Sequence, residues 1–269
     1  MNDIMFSIIV VCLNAGTKLK ETINSILVQT YDNYEVIIKD GLSTDNSIDL
    51  LPENSKLKII RKKDKGIYDA MNQAIEEIQG DYVYFLNCGD YFYDSNVLYN
   101  VKKQLERLES DIVYGDIYSR RIKEVIVSNK NIDSFGCYRN VPCHQSCFYK
   151  ASLMRERNFD INYIVRADYD HFLWCFFNKN VNLCYIPYIV ANYEGMGFSE
   201  MKRNIKLSKR EHNNIVRKYM SSMQILRYKI IMFFTFSYLR TWLAENNITS
   251  HLYNSLKRKI YNICKLLKE

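Results

Sequence analysis

Five apolar residues in a row, Tyr82-Val-Tyr-Phe-Leu86, run into the polar tetrapeptide Asn87-Cys-Gly-Asp90. A run without polar alternation suits a strand covered on both faces, as found in a parallel sheet with helices above and below. In open α/β sheets ligands meet the carboxyl ends of the strands. Gly89 permits a sharp turn there. Asp90 would put a carboxylate oxygen at the crevice mouth, where a divalent cation could bridge it to a diphosphate. A plain strand followed by a polar turn is the competing reading.

The rest of the chain fits the same plan. Phe6–Cys12, Glu35–Lys39 and Leu57–Arg61 read as further buried strands. Leu19, Ile23, Ile26 and Leu27 recur at helical spacing to about Gln29, Ser43–Ser47 offers caps for a short helix to Leu51, and Ile67–Gln79 reads as a helix closed by Gly80. Alternating strands and helices predict a doubly wound, mostly parallel sheet. Val97–Leu108 and Ala167–Phe177 read as helices. Asp111–Gly115, Ser146–Tyr149 and Leu183–Ile186 read as strands, the last ending at Pro187. Ile117 to Pro142 is less regular, and acceptor loops are expected there.

At 269 residues and 48% hydrophobic content the chain can bury a sizeable core. Met1–Met5 carries Asp3 and leads directly into a strand, so secretion is not expected and the compartment reads as cytoplasmic. Cys12, Cys88, Cys175, Cys184 and Cys264 sit singly in apolar contexts, as packing residues do. Cys137, Cys143, His144 and Cys147 are close enough to raise a zinc site, although no paired C-x-x-C spacing is present. The net charge of +7 is uneven: residues 201–269 carry 15 Lys/Arg against 3 Asp/Glu, and residues 1–200 carry 22 against 27. An acidic front and a basic tail argue against nucleic acid as a partner and for a tail that meets an anionic membrane. Ile230–Leu239, ten apolar or aromatic residues for the most part, is too short to span a bilayer. With Arg227, Lys229 and Arg240 around it, it suits a helix lying in the headgroup region or one half of a docked helical hairpin.

Taken in register, several phrases resemble the family 2 glycosyltransferases of the GT-A fold over roughly residues 6 to 190. They are the first strand with Asn14, Gln29-Thr-Tyr31, Asp40-Gly-Leu-Ser-Thr-Asp45, Asp64-Lys-Gly-Ile-Tyr-Asp-Ala-Met-Asn72, Phe85-Leu-Asn-Cys-Gly-Asp90, His144-Gln145 and Ala167-Asp168-Tyr-Asp170. The resemblance implies a GT-A domain at residues 1–197 with a Rossmann-like sheet; the composition beyond it reads as a helical basic extension at 198–269 that meets the membrane or packs on the domain. It also implies an inverting, metal-dependent transferase that moves a sugar from a UDP-sugar to a hydroxyl of a lipid-linked or polysaccharide acceptor in cell-surface glycan synthesis. A sugar-1-phosphate nucleotidyltransferase and a non-catalytic membrane scaffold are the alternatives. The first lacks its Gly-rich, Arg-containing loop here, and the second leaves the strand-end carboxylates unexplained.

Residue by residue, the resemblance gives the base and ribose to the backbone around Val11 and Leu13, to Asn14 and to the Asp40 carboxylate, which could instead be a turn-forming residue. The chain has Lys39 where many relatives carry a second acid. Met71 stands where Arg is common, so Lys65 or the metal must meet the pyrophosphate. Asp69 and Asn72 share a helix face that can look into the crevice, or Asp69 can simply serve the helix N-terminus. Asn87 and Gly89 replace the acids of the metal motif, leaving Asp90 as the one firm anionic ligand for Mn2+ or Mg2+. Asp168 is the implied general base, with Asp170 turned away on the same helix. His144 holds the β-phosphate or the acceptor, or is structural.

Overall fold

The computed structural model describes residues 3–195, 201–246, 249, 251–253 and 255–256. Strands β1 (Phe6–Cys12), β2 (Tyr34–Asp40), β3 (Leu57–Arg61) and β4 (Tyr82–Phe85) pair in parallel in the order β3-β2-β1-β4. Every side chain of β1 and β4 is buried. Strand alternation sorts them between two cores: Ile9, Val11 and Phe85 face one way with α2 (Ile67–Ile75), and Ile8, Val10 and Tyr84 face the other with α1 (Thr17–Leu27) and α3 (Val97–Arg107). Helix α1 presents Leu19, Ile23 and Ile26 at intervals of four and three, and all three are fully buried. At about 1.5–3 kcal/mol per buried aliphatic side chain, that stripe outweighs the missing side-chain cap at the helix start.

Beyond β4 the sheet continues through β8 (Cys147–Lys150), β6 (Ile112–Ser119), β9 (Leu183–Tyr193) and β5 (Tyr91–Phe92), with β7 (Glu124–Ile126) paired to β6. Strands β8, β5 and β7 run against the others, so the sheet is mixed but mostly parallel. Helices α4 (Ser134–Arg139), α5 (Ala151–Glu156) and α6 (Ala167–Asn178) cover one face.

Two expectations need correction. No helix forms over 43–51, which is a series of turns. The candidate caps are spent elsewhere: Ser43 Oγ accepts from the Asn14 N–H (2.8 Å), Ser47 Oγ from the Ala15 and Gly16 N–H groups (3.0 and 2.9 Å), and Asp45 from Gly16 (2.9 Å). Polar side chains that satisfy a neighbouring loop cannot also start a helix. Strand β9 does not stop at Pro187 but runs on to Tyr193. The register against β6 shifts between Tyr114 and Ile117, and the proline is accommodated at this irregularity.

The last helices are α7 (Lys202–Tyr219), α8 (Ser222–Phe234) and α9 (Ser237–Glu245). Ile215, Val216 and Met220, together with Tyr228 and Met232 of α8, join the same core as α6. Tyr228 packs on Phe135 and Tyr138 of α4 (ring centroids 5.3 Å each) and bonds Ser134 Oγ at 2.6 Å. The opposite face of α8 is apolar and, among the described residues, exposed: Met223, Leu226, Ile230, Phe233 and Phe234 face outward, with Phe233 74% exposed. Among the described residues no helix is long and apolar enough to cross a membrane.

Candidate active site

The carboxyl ends of β1, β2 and β4 form the first part of the site. After β1, Leu13 is 61% exposed and Asn14 takes a positive φ of 51°, which lets its side chain accept from the Thr44 N–H at 2.9 Å. Val11 is buried beneath them. Asp40, at the end of β2, is fully buried: it accepts from Ser43 N (3.0 Å), Ser43 Oγ (2.5 Å) and Arg61 Nε (3.1 Å). Lys39 beside it is also fully buried and pairs with Asp64 at 2.9 Å, while donating to the Lys62 carbonyl at 2.6 Å. The residue that replaces the family's second acid therefore ties β2 to the loop before α2 and does not line the cleft.

The second part is the turn after β4. Asp90 N–H returns to the Asn87 carbonyl at 3.0 Å, and Gly89 sits at φ 93°, which favours glycine. Buried Thr22 of α1 clamps the turn, accepting from Gly89 N–H (2.9 Å) and donating to the Asp90 carbonyl (3.0 Å). Asp90 is 4% exposed, and its carboxylate accepts the Glu194 N–H at 2.7 Å. Burial pushes its pKa up to about 7, and the Glu194 charge adds to this; the Glu194 N–H, Arg120 and Lys18 act in the other direction. Glu194, delivered by the unexpected length of β9, pairs with Lys18 at 2.7 Å directly over the turn, and a Cβ on Gly89 would lie 2.7 Å from its Oε2. Arg120 bonds the Gly89 carbonyl and stacks on Tyr91 at 4.5 Å. Asn87 Oδ1 is buried without a partner among the described residues.

These oxygens are the hard donors that Mg2+ or Mn2+ takes. A buried carbonyl oxygen without a partner among the described residues, on the same turn as a buried carboxylate, fits a cation better than it fits a dry core. Among the described residues no three His, Cys, Asp or Glu side chains converge as a complete ligand set. The cysteines around His144 are occupied otherwise: the Cys143 thiol donates to Gln145 Oε1 and that of Cys147 to the Cys143 carbonyl.

The third part lies at the start of α6. Asp168, half-buried in the first turn, accepts the Tyr68 hydroxyl at 2.7 Å, and Tyr68 also reaches the Val165 carbonyl at 2.9 Å. Burial first, and then the Asp168 charge, hold the Tyr68 pKa well above its ordinary value, so Tyr68 is the donor. His144 stacks on Phe85 at 5.0 Å, is nearly buried, and has no partner on either ring nitrogen among the described residues. Burial lowers its pKa, against the pull of the Asp168 charge, so the ring is neutral at pH 7. Phe159 packs on both the Tyr68 ring (centroids 5.5 Å) and the His144 ring (5.9 Å), which brings His144 to the neighbourhood of the Tyr68–Asp168 pair.

Other candidates are placed less centrally. Asp69 accepts from the Lys65 N–H (2.8 Å) and from Gln73 (3.1 Å), serving the start of α2, and the Lys65 side chain is exposed. The Asn72 amide is spent on the backbone of Phe159, donating and accepting at 2.9 Å. Asp170 is fully buried and points away from Asp168, to Arg157, Lys218 (3.0 Å) and Tyr219 (3.1 Å). Glu194, Lys18, Arg120 and Tyr68 were not singled out from the sequence. The apolar run that resumes at Tyr188 beyond Pro187 was the available signal for Glu194.

A family profile described as "Glycosyl transferase family 2" matches residues 7–172, well over half of the chain. The chain belongs to glycosyl transferase family 2. Its sequence is 34% identical over 200 residues to a PGL/p-HBAD biosynthesis glycosyltransferase of Mycobacterium tuberculosis, covering 72% of this chain and 78% of the relative. It is 29% identical over 177 residues to the UDP-Glc:alpha-D-GlcNAc-diphosphoundecaprenol beta-1,3-glucosyltransferase WfaP of Escherichia coli, covering 61% and 67%. Among solved structures, S. aureus TarS in complex with UDP-GlcNAc superposes with a TM-score of 0.62 at 16% identity, over 81% of this chain and 68% of that one. The mannosyltransferase PcManGT of Pyrobaculum calidifontis, in complex with GDP-Man and Mn2+, superposes at 0.63 and 16%, over 96% and 76%. The fold of this glycosyltransferase is accordingly GT-A, with helices appended at its C-terminal end.

Proposed function

We propose that the protein is an inverting, metal-dependent glycosyltransferase that moves a sugar from a UDP-sugar to a hydroxyl of a lipid-linked or polysaccharide acceptor in cell-surface glycan synthesis. The observation that carries this reading is Asp168. It is a half-buried carboxylate in the first turn of α6, fixed through one oxygen by Tyr68, with a neutral histidine that has two unused nitrogens close by across Phe159. Acceptor chemistry is supported by the WfaP relative, whose name specifies a UDP-Glc donor and a diphosphoundecaprenol-linked acceptor.

In this scheme Asp168 takes the proton of the acceptor hydroxyl as its oxygen bonds to the anomeric carbon. The bond from that carbon to the diphosphate oxygen breaks on the opposite face, so the configuration inverts. His144 hydrogen-bonds the β-phosphate or an acceptor hydroxyl, which relieves its buried nitrogens. The nucleotide lies against Leu13 and Asn14, over Val11. Asp40 anchors this edge by holding Ser43 and Arg61, and Arg61 and Lys65 supply cationic groups. Asp69 keeps the Lys65 backbone in place. Mn2+ or Mg2+ would be held by Asp90 and Asn87 Oδ1, where it offsets the negative charge of the departing diphosphate.

The extension, residues 198–269, brings the enzyme to an anionic membrane. The exposed stripe of α8 runs through Met223, Leu226, Ile230 and Phe233, and exposed Arg227 and Lys229 flank it. An apolar face bordered by cations fits the acyl–headgroup boundary of anionic lipid. Replacing Phe233 and Phe234 by Ser should abolish flotation with phosphatidylglycerol vesicles. Equal flotation of parent and variant would overturn this part.

The decisive experiment is Asp168→Asn, measured as UDP release from a panel of UDP-sugars. The variant should keep its fold and its UDP affinity while turnover falls by roughly 10² to 10⁴. Turnover within a few-fold of the parent means that the base lies elsewhere.

A further inference from the structure

Glu211, midway along α7, lies outside the span 7–172 that defines the family match. It is 4% exposed, and its carboxylate is directed at the segment that leads into α6. One oxygen accepts the Ile164 N–H at 2.8 Å; the other accepts those of Val165 (3.0 Å) and Arg166 (2.9 Å). Three consecutive backbone donors on one carboxylate form a fixed cradle, and each bond is charge-assisted. The next two residues are Ala167 and Asp168. The same segment is held from a second side by Tyr68, whose hydroxyl lies between the Val165 carbonyl and Asp168. It is held from a third by Arg166, which donates to Ser208 Oγ (2.8 Å) and to the Ser208 carbonyl (3.1 Å), one turn before Glu211 on α7.

We propose that Glu211 is a positioning residue for the transfer step: through the 164–166 backbone it sets the place and direction of the Asp168 carboxylate. This rests on the reading of Asp168 as the base. Helix α7 then belongs to the catalytic apparatus as much as to the extension. A base displaced by about 1 Å from its line to the acceptor oxygen loses on the order of 10²-fold in rate, and the donor site at the ends of β1 and β2 is not disturbed.

Glu211→Gln keeps the shape of the side chain but removes the charge and turns an NH2 group toward backbone donors. Turnover, read as UDP release from UDP-glucose, UDP-galactose and UDP-N-acetylglucosamine with water as acceptor, should fall roughly 10- to 100-fold in kcat, with UDP affinity unchanged. Amide hydrogen exchange should rise in peptides covering 160–170 and stay unchanged in those covering 82–92. In the Asp168→Asn background the second substitution should cost nothing more, because a residue acting through Asp168 has nothing left to position. Asp168→Asn alone reports on the base. Glu211→Gln with kcat within threefold of the parent, a multiplicative loss in the double variant, or unchanged exchange over 160–170 would each overturn the positioning role. So would a loss in Glu211→Gln beside a fully active Asp168→Asn. Should Glu211→Gln not fold, Glu211→Asp is read in the same assays, since it keeps the charge and shortens the reach by one methylene.

Discussion

Asp168 and Asp170 are two residues apart, and replacing them should have opposite effects: loss of activity without loss of stability at Asp168, and loss of stability with turnover kept in the folded protein at Asp170. Asp170 has no exposed surface and carries two cations and a phenol: Arg157, Lys218 and Tyr219. These contacts are unequal. The Lys218 side chain is 42% exposed, so its pair contributes only about 0.5–1 kcal/mol. The Tyr219 hydroxyl bonds a charged acceptor and contributes about 1.5 kcal/mol. Arg157, 21% exposed, also stacks on Trp174 at 5.4 Å and is the main partner. Removing the carboxylate from such a buried set costs about 3–5 kcal/mol. Asp170→Asn retains one acceptor oxygen and should sit near 3 kcal/mol, a fall in Tm of about 6–12 °C at the usual 2–4 °C per kcal/mol. Because α7 supplies Lys218 and Tyr219, the loss should loosen α7 from α6 before the sheet unfolds. The assay is a thermal melt of parent, Asp168→Asn, Asp170→Asn and Lys218→Ala, with UDP release measured 20 °C below each midpoint. Asp168→Asn should melt with the parent and be inactive. Asp170→Asn should melt early and, while folded, turn over within a few-fold of the parent, and Lys218→Ala should barely change. A normal Tm for Asp170→Asn, or a stable but inactive Asp170→Asn, would refute the reasoning and move the proton acceptor to Asp170.

Asp90 should make stability pH-dependent in chelator-treated protein. Its folded pKa is raised from 3.8 to about 7, so the stability tied to its protonated form is complete below pH 4 and is lost as pH rises to 7. About three units correspond to ~4 kcal/mol. The Tm of Asp90→Asn should therefore gain on the parent between pH 4 and 7 and hold that gain above it, and a pH-independent difference would contradict the burial argument. Gly89→Ala should cost about 1–3 kcal/mol from the positive φ alone. It should also displace Glu194, which lies 2.7 Å from the new Cβ. Melting and Mn2+-supported UDP binding both read this, and parent values in both would show that the turn accommodates a side chain.

The parallel half of the sheet was legible in the chain because its strands are buried on both faces: Phe6–Cys12 and Tyr82–Phe85 have no polar alternation to misread, and each ends in polar residues where the site lies. Motif order carried the family assignment in part for the same reason, since the phrases around Asn14, Asp40 and Asp90 follow β1, β2 and β4, whose hydrophobic runs already marked the strand ends. Local sequence failed where a side chain had a choice of partners. Ser43, Asp45 and Ser47 are good helix caps, and only the proximity of the 14–16 loop turns them into its anchors. Pro187 normally ends a strand, and only the register shift against β6 lets β9 continue and bring Glu194 104 residues from Asp90 to its side. Glu211 lies 43 positions beyond Asp168 in a helix whose sequence reads as a basic, solvated tail. Three backbone N–H groups in the segment that leads into α6, without partners in a helix or strand, select it, and which donors a fold leaves to side chains is settled only once the helices have packed.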